Sequence, residues 1–288
     1  MFKDNKIGVY DTTLQKIAYI SSNYYYHNQF DSSAYYYEKL IKSNPEKYTL
    51  YYNQAVDYAS LGNVDKAMKS LKQYYSKGGD NCHCSFMKLN PRFISLAENK
   101  SYKKLINKCY RVGKHNAKKM KISRYELSDT IQFYLGRDQE ILNSPRYIDG
   151  NNKQEKDSLL KMNLFNLLNN IDTTFLPVKS EIGIGGTGAL HVLFLHVDYL
   201  PSVQYSIANK MLSMGQEKGY SMKNAAYLLD RSLRNMHKPQ LYGTIISPST
   251  NGKRELYPVD NIEKVKQRRK ELGFQPLEES LKNYSITK

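Results

Sequence analysis

Apolar and small residues begin to recur at helical spacing near residue 30. Phe30, Ser33, Tyr37 and Leu40 fall three or four apart, so they share one face of a helix that Pro45 closes. A clearer pair follows. One helix is expected to run through Asn53, Ala55, Val56 and Ala59 to Leu61, a turn at Gly62-Asn63, and a second helix carrying Ala67, Leu71 and Tyr74. The two copies superpose at a spacing of 34 residues: Ser33 on Ala67, Tyr37 on Leu71, Leu40 on Tyr74 and Pro45 on Gly79. Self-similarity at this period is what stacked helical hairpins produce, and the small residues Ala59 and Ala67 would let paired helices approach closely. A third, degenerate unit is expected between Cys82 and Ile106, with Phe86, Leu89, Phe93 and Leu96 as its core positions.

The pattern changes near residue 120. Two helices are predicted at about 123–142 and 154–170, the latter with Leu159, Leu160, Met162, Phe165 and Leu168 as its apolar set. Phe175 to Ile182 reads as a short extended piece. It leads into Gly183-Ile184-Gly185-Gly186-Thr187-Gly188 and a strongly apolar helix through Val197. Further helices are expected at about 202–214, 222–236 and 261–272. Tyr242 to Ile246 and Arg254 to Tyr257 flank Asn251-Gly252, the signature of a small β-hairpin. The glycine run satisfies G-x-G-x-x-G, but no βαβ alternation surrounds it. It is therefore read as a turn that lets a buried helix pack closely rather than as a dinucleotide site, and no cofactor is expected.

The repeat residues quoted above resemble the tetratricopeptide repeat over roughly residues 20–110. That resemblance implies an α-helical solenoid with a groove for a peptide or partner protein. The fold class expected is mainly α: helical-hairpin repeats over 1–119, then a mostly helical domain with a small β-hairpin over 120–288.

Composition narrows the partners. The chain has 288 residues, 40% of them apolar, enough for two modest cores. It shows neither a secretory leader nor an apolar run long enough to span a bilayer, so a cytoplasmic protein without membrane contact is expected. Three cysteines, an odd number, argue against a disulfide framework. Cys82-His83-Cys84 lacks a second closely spaced pair, so buried thiols are preferred to zinc and no metal is expected.

The net charge of +16 is uneven: residues 1–120 hold 20 Lys/Arg against 9 Asp/Glu, and the rest hold 23 against 18. Lys100 to Arg124 contains ten basic residues and no acidic one, with Lys100, Lys104, Lys108 and Arg111 on one helical face. Such a stripe could dock an acidic partner. Lysine outnumbers arginine and no nucleic-acid motif accompanies it, so a solvated helix is preferred and nucleic acid is not expected.

Candidate chemistry concentrates after residue 190. His191 and His196 lie on the apolar helix, Asp198 follows it, Gln204 opens the next helix, and Asp230-Arg231 sits within an apolar helix. Gln240, Tyr242 and Thr244 begin the hairpin. Charges inside apolar segments need partners or a function, because an unpaired buried charge costs several kcal/mol. His196-Val197-Asp198, Asp230-Arg231, Gln240 to Thr244, and the basic helix Arg268-Arg269-Lys270-Glu271-Leu272-Gly273 together resemble an uncharacterised bacterial domain family, over roughly residues 123–284. The resemblance implies a domain and a shared site, and names no reaction.

Chemically, His196 with Asp198 or Asp230 could act as a general base. Arg231 or Arg268 could hold an anion, and Gln204, Gln240, Tyr242 and Thr244 could orient a polar ligand. The same groups could equally form a buried hydrogen-bond network that only fixes the fold. The first functional expectation is an interaction protein that binds a peptide or acidic partner through its repeats. The alternative is a hydrolase or transferase in the second domain, targeted by the repeats.

Overall fold

The computed structural model of the chain describes residues 12–144, 147, 152–171, 176–248 and 254–285. They are mainly α-helical and divide into two compact units, residues 1–116 with 139–157, and residues 117–138 with 158–288. The change of unit after Asn116 lies close to the change in sequence pattern. The return of 139–157 to the first unit has no counterpart in that pattern.

In the first unit, α1 (Thr12–Tyr26), α2 (Phe30–Ser43), α3 (Tyr48–Ser60) and α4 (Val64–Gly78) pack in chain order, each against the next. α2 and α4 begin 34 residues apart. Their equivalent positions Ser33 and Ala67, Tyr37 and Leu71, Leu40 and Tyr74 are all buried. Leu61 caps α3, Gly62 turns the chain at a φ of 70° where a side chain would be strained, and the Asn63 side chain accepts from the Lys66 N–H at 3.1 Å to start α4.

The segment after α4 is less regular than a third hairpin. A short α5 (Cys84–Leu89) is followed by a 3-10 segment, Pro91–Leu96, before the long α6 (Lys100–Lys119). Pro91 cannot continue α5, because it lacks the N–H that helix propagation needs. Phe93 and Leu96 are buried as expected, but Cys84 and Met87, not Phe86 and Leu89, carry the burial of α5.

One expectation is corrected outright. Cys84 and Cys109 are joined in a disulfide that ties α5 to α6, with their Cα atoms 5.7 Å apart. An odd cysteine count leaves one thiol over; it does not prevent the other two from pairing. The remaining thiol is Cys82, buried, with its Sγ 3.2 Å from the Tyr74 carbonyl and its pKa pushed up to about 12 by burial. Among the described residues no group of His, Cys, Asp and Glu is placed to hold a metal, and no helix is long and apolar enough to cross a membrane.

The second unit is built around the central helix α9 (Lys179–Leu195), whose Leu190 and Phe194 are fully buried among α7 (Tyr125–Leu142), α8 (Lys153–Leu168), α10 (Pro201–Met214) and α11 (Met222–Asn235). Helix α7 crosses the division between units. α8 buries Leu160, Leu164 and Leu167, a true i, i+4, i+7 stripe, together with Asn163, whose amide donates to the Tyr134 carbonyl at 2.9 Å. Met162 and Phe165, assigned to the core from the sequence, are 54% and 64% exposed. The apolar set chosen spanned too wide an arc for one buried face.

Of the piece expected to be extended, Lys179 to Ile182 is helical, since α9 begins at Lys179; Val178 before it is extended, and Phe175 lies outside the described residues. The helix breaks at Gly183, where φ is 73°, and resumes; a Cβ on Gly186 would come within 2.8 Å of Ile182, so glycine there is what permits the close turn. Strands β1 (Ile246–Pro248) and β2 (Arg254–Leu256) pair antiparallel, with Ser247 opposite Glu255. Asn251-Gly252 lies outside the described residues. α12 (Ile262–Glu271) and α13 (Leu277–Ser285) complete the unit.

Candidate functional site

The polar residues singled out in the second unit meet one another, in three separate clusters. Asp230, fully buried on α11, accepts from the backbone N–H groups of Leu241 (2.8 Å), Tyr242 (3.1 Å) and Thr244 (2.9 Å) and from the Thr244 hydroxyl (2.9 Å). Burial pushes its pKa up, and these donors pull against that shift. The loop that wraps this carboxylate is possible because of Gly243, at a φ of 62°: a Cβ there would press on Leu277 and Val265. Gln240, also fully buried, closes the loop by donating to the carbonyls of Ile245 (3.0 Å) and Tyr257 (2.7 Å) while accepting from the Ile245 N–H at 2.7 Å. The Gln-x-Tyr-Gly-Thr stretch is thus a backbone cradle for a carboxylate supplied by the protein itself.

Arg231, next to Asp230, points elsewhere. It grips Asp198 with two hydrogen bonds of 2.7 and 2.6 Å, and Asn235 adds a third at 2.8 Å. Burial opposes ionisation of Asp198, but Arg231, Asn235 and Gln204 outweigh it and hold the carboxyl below the usual range. Gln204, fully buried, donates chiefly to the Phe194 carbonyl at 2.9 Å, at the end of α9.

His196 pairs with neither of the aspartates expected from the sequence. Its Nδ1 lies 2.6 Å from the buried Asp138 of α7, a residue that carried no local signal because its neighbours are polar. His191, five residues earlier, is buried with no hydrogen-bond partner on Nδ1. Burial, aided by the charge of His196, lowers its pKa to about 4.

The basic helix also reads differently in three dimensions. Arg268 donates to the Leu241 carbonyl at 3.3 Å, but the buried arginine is its neighbour Arg269. Arg269 donates to the carbonyls of Tyr242 (2.9 Å), Gly243 (3.2 Å) and Gln275 (2.7 Å), and to the Ser280 hydroxyl (2.6 Å). Its spacing of four from buried Val265 was the signal available in the sequence.

No protein-family model, no curated protein and no solved structure matches this chain. Function therefore rests on what the geometry can do.

Two cavities are the clearest candidates, and none of His196, Asp198, Asp230, Arg231 or Gln240 lines either. One, of about 310 Å³ in the second unit, is bordered by Lys179, Thr187, His191, Gln216, Ser221 and Asn224, among others. The other, of about 400 Å³, lies in the first unit and is walled largely by tyrosines. Tyr19 and Tyr25 come with Ser22 from α1, Tyr37 from α2, and Tyr52, Asn53 and Val56 from α3. Asn90, Glu140 and Asn143 complete the wall.

These tyrosines are pinned by their hydroxyls. Tyr52 donates to the Phe86 carbonyl at 3.1 Å and accepts from Asn90 at 2.7 Å; Tyr37 accepts from Asn53 at 3.1 Å; Tyr26, also on the wall, donates to the Glu140 carbonyl at 3.0 Å. The rings are thereby fixed as walls before any ligand arrives. Behind them lies Asp57, fully buried, with no hydrogen-bond partner on either carboxyl oxygen. Burial pushes its pKa up to about 8, against the opposing pulls of the nearby Ser33 hydroxyl and of Arg92. Tyr37 is raised to about 12, first by burial and then by the charge of Asp57. Sequence reasoning missed Asp57, although a charge inside Ala55-Val56-Asp57-Tyr58-Ala59 carried the same signal as Asp230.

Proposed function

We propose that the chain is an interaction protein of the tetratricopeptide-like kind, in which helical hairpins of the first unit bind a peptide segment of a partner. The observation that carries this reading is the preformed tyrosine-walled cavity of about 400 Å³, a size typical of sites for small ligands and side chains. Aromatic and asparagine side chains held rigid at a concave surface lose little conformational entropy on binding and supply both contact area and hydrogen bonds. In the second unit the polar groups first considered for catalysis are engaged with one another. A general base at Asp230 would have to leave four donors behind, and Arg231 is already neutralised by Asp198. The hydrolase or transferase reading keeps only the His196–Asp138 pair, and the basic face of α6 is a second place where an acidic segment could dock.

The test is selection of peptides from a random display library on the full-length protein, followed by binding measurements on the chain carrying Asn53→Ala with Val56→Arg. Enrichment that this double substitution abolishes supports the reading. Enrichment unaffected by it, or lost equally on neutralising Lys104 and Lys108, moves the binding surface away from the cavity.

A further inference from the structure

We propose that the cavity of about 310 Å³ in the second unit binds a small organic carboxylate, with the imidazole of His191 as a hydrogen-bond donor on its wall. This site is separate from the peptide-binding surface of the first unit and does not depend on it.

The cavity follows from one face of α9. After the break at Gly183, Ile184, Thr187, Gly188 and His191 recur at i, i+3, i+4 and i+7, and all four border it. Met211 of α10 and Tyr220, both buried, add wall. The Thr187 hydroxyl is engaged by the Ile184 carbonyl at 3.1 Å and that of Tyr220 by the Pro177 carbonyl at 2.6 Å, so these two contribute chiefly methyl and ring surface. Gly188 leaves the space open: a Cβ there would meet nothing within 4 Å.

His191 is the group that points to a ligand. It is only 8% exposed, and its Nδ1 is buried with no hydrogen-bond partner. An orphaned buried N–H is rare in native interiors, whereas an unused lone pair is less costly. The neutral ring therefore carries its proton on Nε2. Burial keeps the ring neutral by lowering its pKa to about 4, with the charge of His196 adding to the shift. What His191 offers the cavity is thus an N–H donor, which an oxygen on a ligand satisfies.

The rim favours a ligand of negative charge. Lys179 borders the cavity, exposed and in no ion pair among the described residues. Ser221 and Asn224, which also border it, belong to the N-cap and first turn of α11, where the helix dipole and the unpaired first N–H groups attract anions. Glu181, close to Lys179 in sequence, is engaged elsewhere: it accepts from the Val178 N–H at 2.9 Å and pairs with Arg124 at 3.3 Å. One lysine among neutral donors matches the single charge of a carboxylate better than the roughly two charges of a phosphate ester. Ile184, Met211 and the Tyr220 ring match a short apolar body.

The test is a ligand-observed NMR titration of the full chain with hexanoate, benzoate and phenylacetate, each against its primary amide, and with phenyl phosphate. At least one acid is expected to bind at least tenfold more tightly than its amide. Gly188→Leu, which fills the open space, is expected to weaken that acid at least tenfold with no fall in melting temperature. Lys179→Met and His191→Leu are each expected to weaken it at least fivefold while leaving the amide within twofold. Lys179 is exposed, so its variant keeps the test valid should His191→Leu fold poorly.

Absence of binding by every acid at millimolar concentration overturns the inference, as does equal binding of acid and amide, or binding that Gly188→Leu leaves unchanged. Tighter binding of phenyl phosphate than of benzoate overturns the carboxylate as the ligand class. A folded His191→Leu variant that binds the acid as the parent does overturns the donor role of His191.

Discussion

The two units treat their buried carboxylates Asp230 and Asp57 in opposite ways. In the second, Asp230, Asp198 and Arg269 each meet a set of partners supplied by loops and helix ends, so polarity there fixes the positions of α11, α12 and the segment between them. In the first, polar and aromatic groups line a cavity, and one carboxyl, Asp57, is left without a hydrogen-bond partner. Satisfied networks rigidify a fold, whereas groups facing a cavity or lacking partners lower stability and remain available to ligands. The difference suggests where function lies better than residue type does, since the more catalytic-looking residues are the ones already engaged.

The sharpest way to break this comparison is to remove the carboxylate from the second unit. Asp230→Ala leaves three backbone N–H groups and a hydroxyl without their acceptor, and is expected to lower stability by about 4 kcal/mol in urea unfolding of the full chain. A loss below about 1 kcal/mol would mean that the loop does not depend on Asp230, and the structural reading of this cluster would fail.

Next in size is the disulfide. Opening a bridge between residues 25 apart removes a constraint worth about 3 kcal/mol in the loop-closure model, so reductant or Cys84→Ser with Cys109→Ser should destabilise the first unit by that order. A melting curve indifferent to reductant would show that the bridge does not form in solution.

Asp57 gives a prediction of opposite sign. Its pKa is raised to about 8 in the fold against an ordinary carboxylate value when unfolded. The folded state therefore binds the extra proton between those values, and stability falls as pH rises through that window. Asp57→Asn should stabilise the protein relative to the parent. The gain should widen from pH 5 to pH 8 and level off above, reaching about 2 kcal/mol or more. A constant difference across that range, measured by thermal unfolding, would show that Asp57 is ionised throughout.

The smallest effect is expected in the cavity itself. Tyr52→Phe keeps the ring but removes a hydroxyl that donates to Phe86 and accepts from Asn90, which should cost about 1 kcal/mol of stability and leave peptide binding within twofold. A tenfold loss of binding would instead place the hydroxyl, not the ring face, in contact with the ligand.

Particular residues show how much could be read in advance. The turn at Gly62-Asn63 and the burial of Tyr37, Leu40, Leu71 and Tyr74 follow from local spacing, and α7, α8, α10, α11 and α12 begin and end within about two residues of the positions their periodicity indicates, whereas α9 starts well before its apolar run and α13 is not anticipated. Asp230 and Arg231 need separate partners, because adjacent helical residues point about 100° apart. Their partners could not be read, since the loop N–H groups of Leu241, Tyr242 and Thr244 are backbone and carry no sequence mark. Asp138 was missed for a related reason: it lies on a mostly polar, half-buried stretch of α7, 58 residues from the histidine it orients.

What the amino-acid sequence determined by itself was local: helix periodicity, the 34-residue repeat, the glycine and asparagine turns, and the presence of charges in apolar surroundings. These depend on side chains a few positions apart and on backbone freedom, which short-range order carries. Only the tertiary structure decided which cysteines pair, which face of α8 is buried, which aspartate meets His196, and that tyrosines from three helices line one cavity with Glu140 and Asn143. Each of those outcomes depends on groups far apart in the chain brought within a few ångströms, where burial turns an unpaired polar group from a neutral feature into a costly one.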